Sequence, residues 1–175
     1  SSRENILQRL GKVMRFYKYL EDEQRNKGLQ ELHLLLQDVR NIAGSIALLK
    51  ERRSSCSDVD FYELKCLALV AAKVSRLAEI HSLQLEDMPS LEAPLSILDI
   101  DGERLPSFFV SDGYSATLAQ LRKEIERAKT DEERDRLAMN AAQEEDRVRR
   151  RLTKELAPFA DDFSRVLGAL AMDDL

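Results

Sequence analysis

Between Asp131 and Glu155 most residues are charged, of both signs, and the apolar ones (Leu137, Ala141, Val148, Leu152) form one narrow seam. Such a segment reads as a solvated helix that packs its seam on one neighbour, roughly 35 to 40 Å long at 1.5 Å per residue. Its start is marked by Thr130-Asp131-Glu132-Glu133, a capping box in which Thr130 accepts from the amide of Glu133 and Glu133 reaches back. The residues just before it also read as helix. Ser115 is the N-cap, Leu118, Leu121 and Ile125 are at helical spacing, and the pattern runs to Lys129. A capping box directly behind a helix requires a break, so a charged arm is expected that turns back on itself at Thr130 or further along.

The remaining segments are more apolar. Ile6, Leu7, Leu10, Val13, Met14, Tyr17 and Leu20 make one helical stripe, and after a break at Asn26-Lys27-Gly28 a second follows with Leu29, Leu32, Leu35, Leu36 and Val39. Asn41 to Lys50 reads as a short third helix despite Gly44 in its interior. Ser54-Ser55-Cys56-Ser57-Asp58 is a loop that supplies the N-cap for a helix from Val59 to about Leu83. That helix is apolar over so much of its circumference (Phe61, Leu64, Leu67, Ala68, Leu69, Val70, Ala71, Val74) that it belongs at the centre of a bundle. Pro89 and Pro94 are expected to bar helix from Met88 to Leu95. Ile97, Leu98 and Ile100, the turn dipeptide Asp101-Gly102, and then Leu105, Phe108, Phe109 and Val110 predict a β-hairpin near residues 96–111. Ala157-Pro158 ends or kinks the charged helix, and Phe159, Phe163, Val166, Leu167 and Leu170 restore a wide apolar stripe.

Composition agrees with an all-α chain. Of 175 residues, 43% are hydrophobic and 34% charged, with only 6 Gly and 4 Pro. The net charge of -5 argues against attraction of nucleic acid by the chain as a whole. No apolar run reaches the roughly 18 to 20 residues of a membrane span. Cys56 and Cys66 are the only cysteines, which suits a reducing cytoplasm. The chain opens at Ser1-Ser2 with no basic-then-apolar leader and stops inside an apolar pattern at Leu175, so we expect it to be part of a larger protein.

Residues that carry chemistry are few. Gly11-Lys12 lacks the glycine and Ser/Thr spacing of a P-loop. His33, His81, Cys56 and Cys66 have no metal-ligand spacing, so no metal site is expected. Ser111 sits in a turn context rather than a nucleophile elbow, and Tyr114 reads as a hydrophobic staple ahead of the Ser115 cap. The one basic run, Arg147, Arg149, Arg150, Arg151 and Lys154, supplies the candidate nucleic-acid contacts. Glu144, Glu145, Asp146 and Glu155 lie within helical pairing distance and favour a charge-balanced surface instead.

Several strings in order resemble a known family. These are Val39-Arg40-Asn41-Ile42-Ala43-Gly44-Ser45-Ile46, Asp60-Phe61-Tyr62-Glu63-Leu64-Lys65, Leu98-Asp99-Ile100-Asp101-Gly102-Glu103-Arg104-Leu105-Pro106-Ser107-Phe108-Phe109-Val110, and Asp112-Gly113-Tyr114-Ser115 leading into Leu118-Ala119-Gln120-Leu121-Arg122. Together they resemble the core and lever region of the MutS family of DNA mismatch repair ATPases and their relatives. The resemblance runs from about Leu29 to the C-terminus and is most specific from Leu98 to Arg122.

It implies a helical core over residues 1–114, a lever arm over 115–157 and a truncated returning helix over 158–175. It further implies a non-enzymatic connector, with ATP and Mg bound in an ATPase domain outside this chain, DNA as the partner of the full-length protein, and a homodimer. Typical members insert a β-rich clamp between the lever helices. Here there is no room for one between Lys129 and Asp131. Two other expectations stand beside this one: a stand-alone helical protein-interaction module, and direct nucleic-acid binding through Arg147 to Lys154.

Overall fold

The computed structural model describes residues 39–51, 53–80 and 88–171. The helices expected over Ile6 to Leu20 and upstream of Val39, together with His33 and His81, lie outside the described residues. Six α-helices are described: α1 (residues 39–50), α2 (Asp58–Ile80), α3 (Glu92–Leu98), α4 (Ala116–Arg127), α5 (Asp131–Leu156) and α6 (Ala160–Ala171). Short 3-10 turns at Asp112–Tyr114 and Ala157–Phe159 precede α4 and α6. The all-α class expected from the pattern is the observed one.

The central helix is α2. Its start is fixed by a reciprocal capping box: the amide of Asp60 donates to Ser57 Oγ at 3.2 Å and the amide of Ser57 donates to Asp60 Oδ2 at 2.8 Å. Phe61, Leu64, Leu67 and Val70 are all fully buried, as a helix apolar on most sides requires. Ile42, Ile46 and Leu49 of α1, Leu95 and Leu98 of α3, Leu118 of α4, Leu152 and Leu156 of α5, and Phe163 and Leu167 of α6 complete one continuous core. α1 continues unbroken through Gly44, where an added Cβ would meet nothing within 4 Å.

The β-hairpin expected near residues 96–111 is not formed, and no strand occurs among the described residues. Ile97 and Leu98 belong instead to α3, whose buried Leu91, Leu95 and Leu98 are spaced for one helical face. The expectation that Pro94 would forbid helix is also corrected. Pro94 is the third residue of α3, where a backbone N–H has no intrahelical acceptor to lose. The Asp101-Gly102 turn does exist, with Gly102 at φ 71° and its amide donating to Asp99 O at 2.9 Å.

Beyond that turn the chain is irregular, with the amide of Ser107 donating to Leu105 O at 2.8 Å, and its carbonyls pair with side chains rather than with a strand. Lys65 Nζ donates to Ser107 O at 2.9 Å, and Arg122 Nη2 donates to Val110 O at 2.7 Å. Buried backbone oxygens need partners, and here two helices supply them. Val110 faces the core, Phe108 packs on Phe61 with ring centroids 5.0 Å apart, and Phe109 is 63% exposed. The apolar ribbon is therefore buried on one side only.

α4 and α5 form a helical hairpin through Ala128-Lys129-Thr130. Thr130 Oγ1 accepts from the amide of Glu133 at 3.1 Å, and Arg134 reaches back to Asp131 and to Ala128 O. The near half of α5 shows the thin seam expected, with Leu137 and Ala141 its buried residues. Its far half departs from the expectation of a single neighbour, because Val148, Leu152 and Leu156 enter the common core and α5 also meets α3. At the other end of the hairpin, Ser115 Oγ accepts from the amide of Leu118 at 3.1 Å and donates to Glu144 Oε1 at 3.0 Å. Ser115→Ala is expected to lower the unfolding free energy by about 0.5–2 kcal/mol as a lost N-cap. Urea titration checks it, and an unchanged midpoint would mean that the cap contributes nothing.

Candidate functional site

Of the five cations predicted as nucleic-acid contacts, Arg147, Arg150, Arg151 and Lys154 recur at the spacing of one face of α5, and Arg149 lies away from them. Arg147 Nη1 donates to Glu144 Oε2 at 2.9 Å. Arg149 grips Asp58 at the start of α2, with Nε to Oδ1 at 2.8 Å and Nη2 to Oδ2 at 3.2 Å, and also pairs with Asp146 and Glu145. The Asp58 carboxylate, hydrogen-bonded to the guanidinium, raises the Arg149 pKa above its usual value against the opposing effect of burial. Arg151 donates to Tyr114 O at 2.7 Å and lies 3.7 Å from Glu155. Arg147, Arg149 and Arg151 are thus engaged within the chain, as interleaved opposite charges predict. Among the described residues Arg150 and Lys154 have no such partner, and they line an open cleft of about 700 Å³ with Lys50 and Arg53.

A second group of polar residues joins four elements. Arg122 of α4 binds Asp112 at 2.7 Å, Val110 O at 2.7 Å and Glu145 of α5 at 3.2 Å. Glu145 in turn lies 3.5 Å from Arg149, which holds Asp58 of α2. The link therefore runs from the 3-10 turn through α4 and α5 to the start of the central helix. On the far side of the ribbon, Lys65 Nζ is 3.2 Å from Asp99 Oδ1, and each side chain is 7% exposed. Asp99 also accepts from the amide of Arg104, a residue at φ 54°, so the buried pair fixes the whole turn.

Sequence reasoning named Arg149 but missed its role. Its partner Asp58 is 91 positions away, and periodicity carries no signal for such a pairing. The same holds for Lys50 and Arg53, which meet Arg150 and Lys154 only in the fold.

The other candidates are held by burial and by contacts within the fold. Burial pushes the Cys56 thiol up to about 11, partly offset by its hydrogen bond with Thr153, so it is a poor nucleophile. Its amide donates to Thr153 Oγ1 at 3.0 Å, tying the loop to α5. Tyr114 is buried, donates to Ile97 O at 2.7 Å and lies 6.0 Å from the ring of Phe108. Burial raises its phenol to about 12, with Asp101, Asp99 and Glu155 adding in the same direction. Ser111 Oγ is buried without a hydrogen-bond partner. Gly113 is a close approach: a Cβ there would come within 3.3 Å of Ile100 Cγ2 and 3.4 Å of Asp101 Oδ1. Neither Cys56 nor Cys66 is in a disulfide, and among the described residues no group of three or more His, Cys, Asp and Glu could hold a metal ion. No described helix is long and apolar enough to cross a membrane.

No protein-family model, curated protein or solved structure matches the chain. Its function is therefore argued from its own residues.

Proposed function

We propose that this chain is the core and lever portion of a clampless MutS-like ATPase, a cytoplasmic connector that transmits nucleotide state and performs no catalysis itself. The observation that carries the reading is the junction from Leu98 to Arg122, where the most family-like strings coincide with the Lys65–Asp99 pair and the Arg122 links. A connector must pass a change of tilt from one helix to another without loss, and charged side chains bridging α2, α4 and α5 supply that stiffness. The hairpin of α4 and α5 is the lever, and its direct turn at Ala128-Lys129-Thr130 leaves no clamp. ATP and Mg belong to the domain expected after Leu175, DNA to the assembled homodimer.

The parent protein tests this reading. Spin labels at Lys129 and Lys50 are expected to report a distance that changes when ATP replaces ADP. A parent reading frame without a P-loop after Leu175, or a distance that ignores nucleotide, overturns it. The exposed Ile100, Leu105 and Phe109, all beside the junction, favour a second reading as a protein-interaction module. A chain that folds and binds a protein partner through that face, with no ATPase attached, would establish the second reading.

A further inference from the structure

The cleft between the end of α1, the loop after it and the last turns of α5 concentrates positive charge on an acidic protein. Lys50, Arg53, Arg150 and Lys154 line it, against the carboxylates of Glu51 and Asp161. Those two acids are already engaged: Asp161 lies 3.5 Å from Lys50, and Glu51 accepts from Ser54 Oγ at 2.5 Å. Arg53, Arg150 and Lys154 make no ion pair or side-chain hydrogen bond among the described residues. Their arrangement contrasts with that of Arg147, Arg149 and Arg151 on the same helix, each of which has an acid within reach.

We propose that this cleft binds a compact phosphorylated ligand, with Arg53, Arg150 and Lys154 meeting its phosphate oxygens. Guanidinium forks and an ammonium suit tetrahedral oxyanions, and a concave site whose four cations outnumber its two carboxylates focuses a positive field on its occupant. At about 700 Å³ the cleft has the size of a small-molecule site. A long polyanion is disfavoured, because beyond the cleft it meets a chain of net charge -5, with Asp162 and Glu155 next in sequence to lining residues. A short anion collects the attraction and avoids that repulsion. The site makes no use of the junction that carries the connector reading, so either can fail without the other.

Cations beside the last turns of α1 and α5 also offset the helix dipoles. That role alone gives the cleft no affinity for phosphate.

Calorimetric titration of the chain with inorganic pyrophosphate at low salt, supported by amide shifts at Arg53, Arg150 and Lys154, is the test. Saturable binding is expected, weakened about ten-fold or more in Arg150→Gln/Lys154→Gln. The charge-matched control Arg134→Gln/Arg147→Gln removes two paired, exposed cations and is expected to change binding less than about two-fold. Absence of saturable binding overturns the proposal, as does equal weakening in both double variants. A short DNA duplex that binds the cleft where pyrophosphate does not overturns it in favour of a nucleic-acid backbone.

Discussion

Lys65→Met is expected to lower the unfolding free energy by about 3–5 kcal/mol, because it leaves the buried Asp99 carboxylate without its counter-charge. The Lys65 and Asp99 side chains are each 7% exposed and 3.2 Å apart. The effect extends beyond the pair. Lys65 also holds Ser107 O, and Asp99 holds the amide of Arg104, so removing the ammonium loosens both ends of the turn that precedes the ribbon. A buried ion pair can often be exchanged for apolar residues at little cost. Here Lys65→Met/Asp99→Leu is expected to recover only part of the loss, since the Arg104 amide still lacks its acceptor. Urea unfolding of the single and double variants checks both statements. A single-variant loss below about 1 kcal/mol would show that the pair is solvated and would remove it from the junction.

Phe61→Ala is expected to cost about 3–5 kcal/mol, the range for a large side chain removed from a packed core. Phe61 is 0% exposed and stands where α2, the ribbon and the rest of the core meet. Phe108→Ala should cost less, because its ring is only partly buried. The two rings, with centroids 5.0 Å apart, are expected to show a coupling of about 0.5–1.5 kcal/mol in a double-mutant cycle. Additive losses would mean that the ribbon and α2 are packed independently. In that case the ribbon would not report the position of the central helix.

The parts of this architecture that depend on local chemistry were legible in the sequence. Thr130 and Ser115 cap the helices whose starts they mark, the loop ending at Asp58 supplies the cap of α2, and the broad apolar stripe of α2 puts that helix at the centre. Residues 96–111 were misread because Leu98, Phe108 and Val110 suit a strand by composition, whereas the contest between strand and helix was settled by partners far away. Leu95 and Leu98 gain more by sharing one helical face against α2, and Lys65 and Arg122 supply the hydrogen bonds that a second strand would have offered. The basic run reads from local spacing as a charge-balanced surface, and pairing within the chain is seen for Arg147, Arg149 and Arg151. Which cations pair depends on Asp58 and on the cleft, and neither is visible to local spacing.

The ribbon has one more consequence, for the behaviour of the protein in concentrated solution. A segment that carries an outward Phe109 and unpaired carbonyls is the kind of edge on which a second chain can add a strand and begin to aggregate. In this fold the carbonyl of Ser107 is taken by an ammonium and that of Val110 by a guanidinium. Lys65 and Arg122 therefore act as gatekeepers: the groups that stiffen the junction also deny it to a stray β-strand.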